Sequence, residues 1–277
     1  MKRHIIGFLL SCILFIVGFP AYGAEGEENI QENDPALVNQ ITCRVLTLNI
    51  HSAIDWQNHF NLEGLAKLIN DLNPDVVGLQ EVDRFWSSVS QFQDIPGELA
   101  LRTKMFAAFS VSRERNNGFF GNLVLSKYPI LQMWTEDMPG SLERRSFIYA
   151  QINLKGSKIN FLTTHLGLSV SDRLEQVNAM FECIREIKGP LIISGDLNGD
   201  ATDPAVKLLL ENFTELQDSS HFKGQGTFRG RNGVIGPKID YIFVSPEFEP
   251  VNFQIIDSYI SDHLPVMAEI RLHTETK

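Results

Sequence analysis

The chain has 277 residues, of which 43% are apolar, 10% aromatic and 21% charged. This is ordinary globular composition, and it excludes a disordered chain, a collagen, a coiled coil and a multi-span membrane protein. The formal net charge is −10, which argues against a passive nucleic-acid binder but not against an enzyme that handles phosphate through a bound divalent cation.

The first segment stands apart. Lys2 and Arg3 precede an apolar run from Ile5 to Phe19, closed by Pro20 and by Ala21-Tyr22-Gly23-Ala24. A basic start, a short apolar core and small residues are the three parts of a secretory signal peptide, here residues 1–23. The run is too short for a lasting bilayer span, and Cys12 in its middle belongs to the leader. The mature protein is therefore expected in the periplasm or outside the cell, with no membrane span after processing. Residues 24–41 are polar and read as a flexible lead-in to a domain over 42–272. Cys43 and Cys183 remain after cleavage. They are too few for a disulfide scaffold and match no zinc-ligand spacing, so they read as small core residues.

No repeat or linker interrupts residues 42–272. A first strand over Arg44-Val-Leu-Thr-Leu ends at Asn49. Asn61 is placed to cap a helix with Leu62, Leu65, Ala66, Ile69 and Leu72 on one face, and Asn73-Pro74 stops it. A second strand over Asp75-Val-Val-Gly-Leu-Gln ends at Glu81. Residues 96–104 predict a short helix with proline in its first turn. Strands follow over 105–111, 119–126, 146–154 and 158–164. Ser171 is read as the cap of a longer helix with Leu174, Val177, Phe181, Ile184 and Ile187 inward, ended by Gly189-Pro190. A strand over 191–194 leads to Gly195-Asp196-Leu197-Asn198, Asp203-Pro204 opens another helix, and 219–238 is a glycine-rich loop. Strands over 241–245 and 264–272 close the domain. Strand runs mixed with a few helices predict two packed mixed sheets with helices outside.

One pattern recurs. Apolar strands are flanked by residues able to bind metal or move protons: Asn49, Glu81, His165, Asp196 with Asn198, Asp240, and Asp262 with His263. Packed strands hold such ends on a rigid rim, where a catalytic set belongs. Singly, each has a bland reading as a turn or cap; as an ordered set they do not. The hard oxygens of Asn49, Glu81, Asp196, Asn198 and Asp262 suit Mg²⁺ or Mn²⁺, not zinc. Two histidines near carboxylates suit proton transfer.

These segments resemble the endonuclease/exonuclease/phosphatase superfamily, the DNase I-like fold. They are Leu46-Thr-Leu-Asn49, Pro74-Asp-Val-Val-Gly-Leu-Gln-Glu81, Gly121-Asn-Leu-Val-Leu-Ser-Lys-Tyr-Pro129, Thr163-Thr-His165-Leu, Gly195-Asp196-Leu-Asn198, Ile239-Asp240-Tyr-Ile-Phe and Ser261-Asp262-His263-Leu-Pro265. They come in the family's order. The resemblance implies a four-layer α/β sandwich that cleaves phosphate esters with Mg²⁺ or Mn²⁺. It implies Glu81 as the principal metal carboxylate, helped by Asn49 and Asp262. It implies Asp196 and Asn198 as the pair positioning the attacking water, and His263, oriented by Asp240, as the catalytic histidine. His165 is implied as the second histidine and Arg145 as a phosphate-contacting arginine. Asn122 is a weaker candidate, and Arg144 reads as a surface charge.

The family cuts DNA, RNA, inositol phosphates and sphingolipids, so the expected partner is a phosphate ester from nucleic acid, phospholipid or a small phosphodiester, met by a monomer. Asp240-Tyr-Ile-Phe stands where inositol-polyphosphate phosphatases carry Asp-Arg-Ile-Leu, and no cysteine pair matches the loop disulfide of secreted DNase I relatives. The reading is a phosphodiesterase. The alternatives are a lipid or inositol-phosphate phosphohydrolase, or a non-catalytic module on the same fold. Arg113, Arg115, Arg229 and Arg231 are loop arginines read either as substrate-phosphate contacts or as solvated charges.

Overall fold

The parallel pairing of two strand pairs, one in each of two sheets, decides where every functional side chain of this protein comes to lie. The computed structural model describes residues 41–217 and 224–273. The predicted leader, all but the last residue of the lead-in and the first part of the glycine-rich loop lie outside the described residues.

The chain runs through β1 (Ile41–Asn49), a 3₁₀ turn (His51–Ala53), α1 (Leu62–Leu72), β2 (Val76–Arg84), α2 (Ile95–Thr103), β3 (Phe106–Arg115) and β4 (Gly118–Ser126). It continues through β5 (Ile130–Met138), β6 (Arg145–Leu154), β7 (Ser157–His165), α3 (Val170–Ile184), β8 (Leu191–Asp196) and α4 (Pro204–Leu210). It ends with β9 (Thr214–Glu215), β10 (Asp240–Val244), β11 (Phe248–Ile255) and β12 (Val266–Leu272). The strands form two six-stranded mixed sheets, in the orders β11-β12-β1-β2-β4-β3 and β5-β6-β7-β8-β10-β9.

Each sheet contains one parallel pair, β1 with β2 and β7 with β8; the other pairs are antiparallel. A parallel pair needs a crossover, and α1 and α3 supply it on the outer faces. Three apolar layers follow. The inner faces of both sheets meet through Val45, Val76, Val124, Ile148, Phe161 and Ile192. Leu48, Val77 and Leu79 pack outward on Leu65, Ile69 and Leu99 of α1 and α2. Leu162 and Ile193 pack outward on Val177, Met180 and Leu209 of α3 and α4. Helix, sheet, sheet and helix make the expected four-layer sandwich.

The sheets approach closely at Gly78. A Cβ there would lie 2.6 Å from Thr163 Oγ1 and 2.7 Å from Ser194 Oγ of the facing sheet, a space only glycine fits. Beside it, Gln80 Nε2 donates to Thr163 Oγ1 across the gap at 2.8 Å and to Thr47 Oγ1 of the neighbouring β1 at 3.2 Å.

Asn61 caps α1, Asp94 caps α2 and Asp203 caps α4, each side-chain oxygen accepting a first-turn N–H. The cap of α3 is Ser169, not Ser171: its Oγ accepts from Asp172 N at 3.1 Å. The buried face of α3 is also turned from the expected one. It includes Asp172, Arg173, Gln176 and Met180, while Leu174 is only half-buried. The reason is polar: Asp172 accepts from Ser141 N and Oγ, and Arg173 pairs with Asp203 at 2.6 Å. The helix stops at Ile184, before Gly189, and a turn from Ile187 N to Ile184 O carries the chain on.

Three strands carry no clear sequence signal. β5 lies at a sheet edge and exposes Leu131, Gln132, Glu136 and Asp137, so its apolar alternation is lost. β11 is an edge of the other sheet, with Pro250 beside a register shift. β9 has two residues. Cys43 and Cys183 are free thiols, the first buried and the second half-buried. Among the described residues no helix is long and apolar enough to cross a membrane.

Candidate active site

Parallel strands end side by side, and here those ends meet. Asn49 closes β1 opposite Gln80 of β2. His165 closes β7 opposite Asp196, the last residue of β8. Asp240 opens the antiparallel β10 directly across from the same Asp196. The segment before β12 brings Asp262 and His263 to the same end. A cleft of about 810 Å³ opens there, between the carboxyl ends of both parallel pairs, as ligand sites of open α/β sheets do.

Glu81 reaches this end by a different device. β2 does not stop at Glu81 but runs on to Arg84, with a register shift between Leu79 and Val82 against β4. The bulge holds Glu81 at φ 56°, left-handed for a non-glycine residue. Strain of this kind persists where the surrounding structure enforces it. Here it re-aims a carboxylate that regular pleating would send elsewhere, and Glu81 lines the cleft.

The side chains form one connected set. Asn49 Nδ2 donates to Glu81 Oε1 at 3.1 Å and to Asp196 Oδ2 at 3.0 Å, while its Oδ1 accepts from His51 N at 3.0 Å. Asp196 Oδ1 accepts from Asn198 N at 2.9 Å, a contact that the left-handed Asn198 (φ 50°) permits. Asp196 Oδ2 lies 3.3 Å from His165 Nε2 and 3.6 Å from His263 Nε2. His263 Nδ1 is 2.9 Å from Asp240 Oδ2. Asp240 is held in turn by its backbone N–H, which donates to Thr227 Oγ1 at 3.0 Å. Arg145 Nη1 donates to His165 Nδ1 at 3.0 Å, and its Nη2 pairs with Glu143 at 2.7 Å. The Asn198 amide donates to Leu166 O at 3.0 Å and lies 2.9 Å from His165 Nε2.

The two buried histidines differ in charge, one cationic and one neutral. Burial opposes the His263 cation, but the carboxylates of Asp240 and Asp196 overrule it and push the pKa up to about 10. His165 is held well below the ordinary range by burial and by the nearby charges of Arg145 and His263. Arg145 is an obligate donor, so it claims Nδ1 of the neutral ring and leaves the proton on Nε2, toward Asp196. Burial raises Asp196 to about 6, against the pull of His263.

Among the described residues of the cleft, two groups present metal-binding atoms. Asp196, Asp240 and His263 place theirs within 4.8 Å of one another. Within this trio His263 Nδ1 is already bonded to Asp240, and the two carboxylates around the ring favour its cation, so the three form a proton-holding set. The other group is Glu81 with Asp262, two carboxylates that line the cleft and are part-exposed. Ser261 Oγ, 2.8 Å from Asn49 O and 3.2 Å from Asp262 Oδ1, ties Asp262 to the end of β1. Two hard oxygens at an open cleft fit Mg²⁺ or Mn²⁺, which keep much of their water shell. Asn49 turns amide hydrogens, not its oxygen, toward the carboxylates of Glu81 and Asp196.

The cleft therefore gathers Asn49, Glu81, His165, Asp196, Asn198, Asp240, Asp262, His263 and Arg145 into one neighbourhood. Asn122 is buried away from it, its Nδ2 donating to Ser146 O at 2.8 Å. Arg144 is an exposed partner of Asp137. Arg229 is buried against Asp257 and the Tyr259 ring, so it is neither a cleft residue nor a solvated charge. Sequence reasoning missed Glu143, Thr227, Ser261 and the aromatic wall of Trp86, Phe120 and Phe228. Only Ser261, inside the Ser-Asp-His segment, carried a signal.

The chain matches the model of the Endonuclease/Exonuclease/phosphatase family over residues 46–263, and it belongs to that family of phosphate-ester hydrolases, whose members generally depend on a divalent metal. Among solved structures it is similar to an endonuclease/exonuclease/phosphatase from Beutenbergia cavernae, with TM-score 0.71 and 23% identity, covering 84% of this chain and 72% of that one. It is similar to the mannosyl-6-phosphatase of Bacteroides thetaiotaomicron, with TM-score 0.67 and 17% identity, covering 82% and 99%. The human Nocturnin catalytic domain, solved with bound sulfate, aligns with TM-score 0.64 and 20% identity, covering 84% and 95%. At these identities the likeness is one of fold. No curated relative matches the chain.

Proposed function

We propose that the protein is an exported phosphodiesterase that uses Mg²⁺ or Mn²⁺ and acts as a monomer. The observation that carries this reading is the continuous line Asp240, His263, Asp196, Asn49, Glu81, built from four strands and the loop before β12 and laid along one cleft. A structural polar cluster has no need to join a cationic imidazole, a neutral imidazole and cleft-lining carboxylates.

In this reading the scissile phosphate enters between the two histidines. Asp196, fixed by Asn198 N and Asn49 Nδ2, orients the attacking water and accepts its proton. The His263 imidazolium, kept charged by Asp240, faces the charge that grows on the phosphoryl oxygens. His165 presents Nε2–H to the same group, in the tautomer set by Arg145, so Arg145 works chiefly through His165. A cation held by Glu81 and Asp262 would neutralise phosphoryl charge and polarise the ester.

Export rests on the basic, apolar and small-residue order of residues 1–23. A mature N-terminus near Gly23 to Glu25 supports it, and Met1 retained in a membrane fraction refutes it. The activity is tested on bis(p-nitrophenyl) phosphate, with p-nitrophenyl phosphate as the monoester comparison. Turnover that needs Mg²⁺ or Mn²⁺ and stops in EDTA is expected; full activity in EDTA, or restoration by zinc alone, refutes the metal assignment. DNA, RNA, sphingomyelin and inositol phosphates then separate the substrate classes.

A further inference from the structure

The wall of the cleft formed by the β3–β4 hairpin carries a guanidinium with no hydrogen-bond partner among the described residues. Arg113 lies next to a register shift in the β3–β4 ladder, opposite Phe120. Its Cζ stands 4.3 Å from the Phe120 ring centroid and 5.6 Å from that of Trp86, and the two rings are 6.0 Å apart. Arg115 covers Trp86 at 4.6 Å. Arg113, Trp86 and Phe120 all line the catalytic cleft.

Aromatic contacts fix a guanidinium's plane without using its N–H groups. The nearest carboxylate oxygen to Arg113, Glu143 Oε1, is 3.9 Å away, too far for a hydrogen bond. The other oxygen of Glu143 is taken by Arg145 at 2.7 Å. Arg113 is thus oriented, one-third exposed and without a protein hydrogen-bond partner among the described residues, with a single carboxylate between it and the guanidinium that holds His165. The charge pattern is complementary to an anion. The chain as a whole is acidic and Glu81, Asp196 and Asp262 also line the cleft, yet this wall is cationic.

We propose that Arg113 anchors a second anionic group of the substrate, a phosphate or carboxylate carried beyond the scissile phosphate, so that the enzyme prefers phosphate esters with two anionic groups over those with one. The proposal rests on the phosphohydrolase reading of the same cleft and adds a specificity residue to it. A planar fork held against an aromatic ring takes such an oxyanion through two parallel N–H donors. Lysine at this position keeps the charge but loses the fork and the stacking.

The test uses two chromogenic diesters that differ by one phosphate: thymidine 5′-(p-nitrophenyl phosphate) and the same compound with a 3′-phosphate. The wild type is expected to show the higher kcat/KM on the 3′-phosphorylated ester. Arg113→Gln should lose that preference by roughly 10- to 100-fold, the worth of hydrogen bonds to a charged group, and should leave the plain ester within about twofold. Arg113→Lys should fall between. Calorimetric titration with thymidine 3′,5′-bisphosphate and thymidine 5′-monophosphate gives the same comparison as affinities, without turnover. If neither ester is cleaved while Arg113→Gln still loses the bisphosphate preference, the phosphohydrolase reading fails and the anion site stands. Equal effects of Arg113→Gln on both esters, or a wild type without preference in rate and affinity, overturn the proposal. Circular dichroism of each variant excludes misfolding as the cause.

Discussion

Asp240 and Asp196 face each other across the β10–β8 ladder, and the His263 imidazole lies between their carboxylates, 2.9 Å from one and 3.6 Å from the other. Two buried like charges on neighbouring strands repel, and the arrangement holds because a cation separates them. The pair therefore makes His263 a permanent imidazolium at neutral pH, and the role of each residue depends on the others.

Replacing the cation tests this directly. Folded His263→Ala is expected to lower turnover roughly a hundredfold or more, as loss of a group that stabilises transition-state charge does. Asp240→Asn should lose part of that, because an amide cannot stabilise imidazolium as a carboxylate does. His59→Ala serves as control: His59 is exposed beside Asp55, at 3.6 Å, and outside the cleft. Steady-state rates beside circular dichroism decide it. Wild-type turnover from folded His263→Ala would remove the imidazole from the mechanism.

The same trio predicts a pH dependence of stability in the metal-free protein. His263 is raised from 6.5 to about 10 in the folded state, so its contribution is complete below 6.5 and is lost as pH rises through 10. Asp196 is raised from 3.8 to about 6, so the folded state holds that proton more tightly, and ionising it costs stability as pH climbs between those values. Both groups lower stability with rising pH. Urea unfolding in EDTA should show the advantage of wild type over His263→Gln shrinking from pH 6.5 toward 10. A constant difference across that range refutes the charged state of His263.

How far the sequence reveals this site depends on what holds each residue. Asn49, His165, Asp196 and Asp240 sit at strand ends, where an apolar run stops at a polar residue, and that signal is local. Glu81 was visible as a strand end for the wrong reason. β2 continues beyond it, and a left-handed glutamate inside a bulge leaves no periodic trace. Glu143 and Trp86 belong to loops, and only the fold brings them to Arg145 and Arg113. The two sheets were legible from their buried strands, whereas the edges β5 and β11 were not, since one-sided pairing removes the alternation. The true cap of α3 was within reach: Ser169 with Asp172 has the serine-x-x-acid spacing of a helix start, which Ser171 lacks.

Glu81→Gln separates metal binding from chemistry. Oε1 accepts from Asn49, a bond that glutamine's carbonyl can also accept, so the bulge should survive. The lost charge should move the Mg²⁺ titration of activity to higher concentration while saturating metal restores part of the rate. An unchanged Mg²⁺ midpoint would place the cation elsewhere.

The position of Glu81 depends finally on how closely the sheets meet three residues earlier. Gly78→Ala puts a Cβ at 2.6 Å from Thr163 Oγ1 and 2.7 Å from Ser194 Oγ, closer than side chains tolerate, so the sheets must part there. Thr163 cannot yield freely, because its Oγ1 accepts from Gln80 Nε2 at 2.8 Å, and Gln80 precedes Glu81 in the bulge. Overpacking of this kind costs about 1–3 kcal/mol, which in a domain of this size lowers Tm by roughly 2–12 °C. The strain should also reach the site, since Gln80 loses its cross-sheet anchor and Glu81 its enforced backbone. Gly78→Ala is therefore expected to weaken the Mg²⁺ dependence in the same direction as Glu81→Gln even at temperatures where it is fully folded. Scanning calorimetry and a Mg²⁺ titration of the one variant measure both effects, and a destabilised protein with an unchanged Mg²⁺ midpoint would show that the bulge holds its shape without the sheet contact.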